Sequence, residues 1–279
     1  MFQNLSIKLN ELNYYYGAKV SLQNSADTGQ TITIAGYTED GKDASAEMDY
    51  AIVDAITYLG LPQPPVSLAL THKTPGKLIE KTLDCIATGV GMPQFVNADV
   101  MVERALHLWG PDGLSLGKAR RTAIGACVGS YPAYETGHPV EGQPNLGKIL
   151  ELTMNNGWDP LTKQQVGPKT GDPETFKDFE ELYTAFEGQL QHCADVLRRF
   201  AWISSMLDAE MLPCTWRSHL TKGCRERGIE TWNGGANYYT VSQISVGQVD
   251  AGNGLMAVKD LVFDKKKLTM KKLKEAMAA

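Results

Sequence analysis

Apolar positions recur along this chain at two periods. Alternation marks Ile7-Lys8-Leu9-Asn10 and Thr31-Ile32-Thr33-Ile34-Ala35 as strands, joined by a polar, turn-rich stretch from Asn24 to Gln30. From Asp43-Ala44-Ser45-Ala46-Glu47 the period lengthens to that of a helix, which Met48, Ile52, Ala55, Ile56 and Leu59 carry to Gly60. Pro62, Pro64 and Pro65 end it, and Val66-Ser67-Leu68-Ala69-Leu70 reads as a short buried strand. Thr74-Pro75 opens a helix through about Ala87, Asp99 to Leu108 forms another, and Ser115 caps a third. Thr122 to Val128 reads as a strand or the buried end of a helix, stopped by Gly129 and Pro132. Residues 129–144, rich in glycine and proline, read as a long ordered loop.

The longest pattern runs from Phe176 to Leu207. Phe179, Leu182, Tyr183, Phe186, Leu190, Cys193, Val196, Leu197 and Phe200 hold a 3.6-residue period, so this is the longest helix and its stripe is expected in the core. A shorter helix around Trp216 to Arg227 stops at Gly228, and the Gly234-Gly235 turn leads into an alternating strand from Tyr238 to Ile244. Strands alternating with long helices indicate an α/β fold. No internal repeat or domain boundary interrupts it.

Composition narrows the function classes. With 43% hydrophobic and 21% charged residues over 279 positions the chain is globular, with material for a substantial core. A net charge of -5 offers no basic patch of the kind nucleic acid needs. The basic stretch Lys265 to Lys274 fits the solvated face of a terminal helix. No apolar run reaches membrane-span length and no signal peptide pattern opens the chain, so the cytoplasm is the expected location, with no membrane partner. The cysteines, Cys85, Cys127, Cys193, Cys214 and Cys224, are odd in number and lack a Cys-x-x-Cys pair. Neither a disulfide framework nor a metal site is expected.

One cysteine stands out. Ala123-Ile124-Gly125-Ala126-Cys127-Val128-Gly129-Ser130-Tyr131-Pro132 delivers Cys127 from an apolar run into a turn of small residues. Around it, in order, lie Thr88-Gly89-Val90-Gly91-Met92-Pro93-Gln94-Phe95-Val96-Asn97, Leu114-Ser115-Leu116-Gly117-Lys118-Ala119-Arg120, Asn145-Leu146-Gly147-Lys148-Ile149-Leu150-Glu151-Leu152 with Asn155-Asn156-Gly157, Gly167-Pro168-Lys169-Thr170-Gly171-Asp172-Pro173, and Asn233-Gly234-Gly235-Ala236-Asn237-Tyr238-Tyr239. This ordered series resembles the pyruvate formate-lyase-like domain of glycyl radical enzymes, from about Gly36-Tyr37-Thr38-Glu39-Asp40-Gly41-Lys42-Asp43-Ala44 to Val258-Lys259-Asp260-Leu261-Val262-Phe263. Residues 1–279 then form a partial domain of that kind, with 1–35 its weakly matched start.

The resemblance implies part of a ten-stranded α/β barrel of two five-stranded halves, wrapped by helices, with the reactive cysteine on an interior loop. It implies that Cys127 becomes a thiyl radical and abstracts hydrogen from a small-molecule substrate, for which a shielded site close to one C–H bond is required. Several relatives place a proton-carrying glutamate two residues after that cysteine. Here the position is Gly129, which moves no proton unless Glu135, further along, reaches in. Pyruvate formate-lyase itself has two adjacent cysteines; Ala126-Cys127 lacks the acyl acceptor. His138 joins Glu135 as a candidate acid-base or orienting group. Gly129, Asn233, Gly234, Gly235 and Asn237 are candidate substrate contacts, although a tight turn explains the glycine pair equally well. His72, His107, His192 and His219 are scattered and support no hydrolase triad.

The family's glycyl radical sits in a segment of Arg-Val-x-Gly-Tyr type, and none occurs in this sequence. The chain is therefore expected to bind no cofactor itself. The radical would come from the remainder of the enzyme or a glycyl-radical-bearing chain, loaded by a radical S-adenosylmethionine activating enzyme. The leading expectation is the thiyl portion of a lyase that cleaves a C–C bond of a small organic or aromatic acid, as in decarboxylation, inactive as this chain alone. Addition of a hydrocarbon to fumarate (arylsuccinate synthase-like) and dehydration are the enzymatic alternatives; a catalytically silent fragment or scaffold is the other. A fragment with bare edges is also expected to pair with itself, as a homodimer, or with missing segments.

Overall fold

The computed structural model describes residues 2–11, 31–61, 64–125, 129–137, 141–240, 242–243 and 245–278, which gather into two compact units. The first comprises residues 1–136 with two short returning segments, 220–223 and 236–238. Its opening segment is a helix, α1 (Phe2–Glu11), where alternation predicts a strand. Four alternating residues are too few to fix a period. The burial of Ser6, four positions after the half-buried Phe2 that packs on the core, follows the helical spacing instead.

Three parallel strands organise this unit: β1 (Ile32–Ala35), β2 (Val66–Leu70) and β3 (Gln94–Asn97), side by side in that order. Parallel neighbours need crossovers, supplied by α2 (Glu47–Leu59) and α3 (Gly76–Cys85). The central β2 is buried on both faces, which is why it reads as a nearly unbroken apolar run. Ile34, Val66 and Leu68 of the sheet pack with Ile52, Val53, Ile56 and Leu78 of the helices. Next come α4 (Ala98–Trp109), capped by the Asn97 side chain, α5 (Leu116–Ala119), capped by Ser115, and the strands β4 (Thr122–Gly125) and β5 (Gly129–Pro132). A second cluster there joins Ala105, Trp109, Leu114, Ala119, Tyr131 and Tyr238.

Residues 129–144 are not one loop. They hold β5, the two-residue strand β6 (Thr136–Gly137) and β7 (Glu141–Gly142). Strand pairing with distant residues overrides the local glycine and proline signal.

The second unit continues with α6 (Leu146–Met154), an antiparallel pair β8 (Trp158–Asp159) and β9 (Gln164–Gln165), and the 33-residue α7 (Phe179–Met211). The helix expected at Trp216 to Arg227 is broken into α8 (Thr215–Leu220) and α9 (Cys224–Arg227), with Gly223 at φ 91° between them. Then follow β10 (Tyr238–Tyr239), β11 (Ser242–Gln243), α10 (Gln248–Val258) and the basic terminal helix α11 (Met270–Ala278); β11 pairs in parallel with β7. Ile149, Leu150, Met154, Leu182, Phe186, Val258 and Met270 form the core.

The α7 stripe is core only in its first half. Leu182 and Phe186 are buried, but Val196 is 49% and Phe200 55% exposed. The helix outruns the elements that cover it. Among the described residues no helix is long and apolar enough to cross a membrane.

Candidate active site

β4 and β5 pair antiparallel, with Gly125 opposite Gly129, Ile124 opposite Ser130 and Ala123 opposite Tyr131. Residues 126–128, including Cys127, join the two strands in sequence and lie outside the described residues, as does His138. The hairpin stems are pinned from two sides. Ile124 N–H donates to Thr33 Oγ1 at 2.8 Å, and Arg104 Nη1 of α4 donates to the Ser130 carbonyl at 2.6 Å and its Oγ at 3.1 Å.

Gly125 and Gly129 share one structural reason. The Tyr131 ring lies over both: a Cβ on Gly125 would stand 2.9 Å from Tyr131 Cδ2, and one on Gly129 would stand 2.7 Å from Cε2 and overlap the hydroxyl. The position two residues after Cys127 therefore has no room for a side chain while Tyr131 keeps this rotamer.

Glu135 follows β5 and is buried, its residue only 5% exposed. Its Oε2 accepts from Lys118 Nζ at 3.0 Å and Asn237 Nδ2 at 2.8 Å, and Lys222 Nζ lies 3.6 Å from Oε1. The backbone is held as well: Tyr238 N–H donates to the Glu135 carbonyl at 3.0 Å and Lys222 N–H to that of Tyr134 at 2.7 Å. Burial alone would raise the Glu135 pKa, but hydrogen bonds from Asn237 and Lys118 and the nearby Lys222 charge outweigh it and hold the carboxyl below its ordinary value. Lys118 is correspondingly raised by its hydrogen bond to Glu135. The carboxylate stays ionised as a clamp for three chain segments. A group so held is a poor proton carrier near neutral pH.

Of the predicted residues, the structure thus brings Glu135 and Asn237 into direct contact, with Gly129 on the adjoining strand. Lys118 and Lys222 complete the cluster; sequence reading did not single them out because they stand 17 and 87 positions from Glu135. Asn233, Gly234 and Gly235 belong to the second unit. Glu230 caps their turn, its Oε2 accepting from Trp232 N–H at 2.5 Å. Gly234 has φ 87°, and a Cβ on Gly235 would overlap the Ile229 carbonyl and stand 2.8 Å from Cys224 Sγ. The turn accounts for both glycines. Asn233, Trp232 and Tyr239 line an open groove of about 690 Å³ against the second half of α7. Among the described residues no three His, Cys, Asp or Glu side chains are grouped to hold a metal ion.

A model of the pyruvate formate lyase-like family matches residues 1–279. The chain belongs to this family. It is 34% identical over 248 residues to trans-4-hydroxy-L-proline dehydratase of Clostridioides difficile, covering 89% of this chain and 31% of that protein. With indoleacetate decarboxylase of Tractidigestivibacter scatoligenes it shares 28% identity over 282 residues, 99% of this chain and 32% of the relative. Among solved structures it is similar to hydroxyproline dehydratase from C. difficile, TM-score 0.89 and 32% identity, covering 98% of this chain and 34% of that one. The B12-independent glycerol dehydratase from Clostridium butyricum gives TM-score 0.87 and 29% identity over the same shares. The α/β fold is that of glycyl radical enzymes, and the chain spans about a third of these relatives' length.

Proposed function

We propose that this chain is the thiyl-bearing portion of a glycyl radical lyase, in which Cys127 takes a hydrogen atom from a small organic or aromatic acid whose C–C bond is then cleaved, as in decarboxylation. The family assignment supports the chemistry class, and Gly129 supports the choice of bond. Where dehydration would use an acid-base side chain, β5 presents a glycine packed under Tyr131, and the Glu135 carboxylate is committed to Lys118, Lys222 and Asn237. When loaded, the family's glycyl radical supplies the oxidation that converts the Cys127 thiol to a thiyl. In the whole enzyme the hairpin would sit inside a ten-stranded barrel, where water is excluded. Glu135 fixes the segment that follows β5, Asn237 orients Glu135, and His138 and the Asn233–Gly235 turn are the remaining candidates for substrate contact.

Dehydration is the second reading, favoured by the 34% identity to trans-4-hydroxy-L-proline dehydratase. It requires Glu135 to release its partners and carry a proton. A chimaera of the C. difficile dehydratase carrying this chain in place of its matching third, loaded by its activating enzyme, separates the two. Release of carbon dioxide from indoleacetate or 4-hydroxyphenylacetate supports C–C cleavage. Loss of water from trans-4-hydroxy-L-proline or glycerol supports dehydration and overturns the first reading.

A further inference from the structure

Alternation along β4 and β5 puts Ala123, Gly125, Gly129 and Tyr131 on one face of the hairpin and Ile124 and Ser130 on the other. On the first face, among the described residues, the Tyr131 phenol is the one polar side-chain group. Its ring runs along β5 toward the end of the hairpin where residues 126–128 join the strands. Cδ2 and Cε2 lie against Gly125, Cε2 and Cζ stand 2.7 Å from the place of a Cβ on Gly129, and the hydroxyl comes closest of all to that place. Glycine weakens a strand and marks where something approaches closely, and here both glycines admit the ring. Ala105, Trp109, Ala119 and Tyr238 hold it from the core side, and the residue is buried. The strands beneath are fixed by the Thr33 and Arg104 hydrogen bonds. A phenylalanine ring would fill the same space, so packing does not call for the hydroxyl.

We propose that Tyr131 is a specificity-determining residue, whose hydroxyl donates a hydrogen bond to the carboxylate of the substrate at the Gly129 end of the hairpin. A phenol carries an O–H and is uncharged at neutral pH, so it receives an anion that a carboxylate side chain in the same space would repel. Because the ring is already held by the packing around it, little rotamer freedom is lost when the acid binds. The acid as ligand rests on the C–C cleavage reading above; the place of the hydroxyl does not.

Tyr131→Phe removes one oxygen and keeps the ring. In the chimaera described above, without radical loading, isothermal titration should show 4-hydroxyphenylacetate bound roughly ten- to a hundredfold more weakly by Tyr131→Phe, as expected for a lost hydrogen bond to a charged group. p-Cresol, the same ring without its carboxylate, should bind both proteins equally. Unchanged affinity for the acid overturns the proposal, and so does an equal loss for acid and cresol, which would assign Tyr131 to packing. Loading then separates this contact from the reading beneath it. Carbon dioxide released at an undiminished rate by Tyr131→Phe keeps the cleavage reading and sinks the contact. An acid-specific loss of binding, with no carbon dioxide from either protein, keeps the contact and sinks the cleavage reading. An acid that neither protein binds sinks both.

Discussion

Removing the Glu135 carboxylate should loosen the first unit by a calculable amount. A hydrogen bond to a charged group contributes about 1.5–3 kcal/mol net when buried. Lys118 and Lys222 are 45% and 51% exposed and regain water when released, which brings each lysine's share down to the scale of a surface pair, about 0.2–1 kcal/mol. Asn237 adds about 1 kcal/mol, so Glu135→Gln should cost about 2 kcal/mol at neutral pH. Glu135→Ala should cost more, because it also leaves a cavity. The folded-state pKa of Glu135 is depressed, so this stability is present above the carboxyl's unfolded value and is lost as pH falls through the lowered folded one. Native-state hydrogen exchange at the Tyr131, Lys222 and Tyr238 amides reads it locally. The wild-type advantage over Glu135→Gln should be full at pH 7 and shrink in acid. Equal protection at pH 7, or a gap independent of pH, would refute the clamp.

Gly129→Ala should destabilise by about 1–3 kcal/mol in urea unfolding, and by much less in a Tyr131→Ala background, because the clash is with that ring. Equal costs in both backgrounds would show that the backbone sets the requirement. Asp159 accepts from Lys148 at 2.6 Å and from Thr162 at 2.7 Å, which hold its carboxyl down to about 2. Asp159→Asn should lower the melting temperature at pH 7, with the difference closing only as pH approaches that value; a difference gone by pH 4 would contradict the assignment.

What sequence disclosed follows the range of the interactions. The βαβα start, β1 to α3, was readable because β2 is an apolar run broken only by Ser67 and α2 has a single apolar face; both signals are local, and β3 was not named. Ser115 as the cap of the helix beginning at Leu116 was readable for the same reason; the Asn97 cap before Ala98 was not named. The first segment, Ile7 to Asn10, misled because two alternations also fit a helix. Phe200 and Val196 were read as core since periodicity shows that a face exists without showing what covers it. Strand β5 was hidden because its pairing depends on the room that Gly125 and Gly129 leave for Tyr131. The Glu135 cluster was half legible: Glu135 and Asn237 emerged separately, but nothing local links positions 102 apart.

The central claim is that Cys127 carries the radical to substrate. The chimaera described above, once loaded, can be compared with its Cys127→Ala variant by electron paramagnetic resonance and product analysis. The glycyl doublet should appear in both, with product formed only by the chain that retains Cys127. Undiminished product from Cys127→Ala would contradict the account.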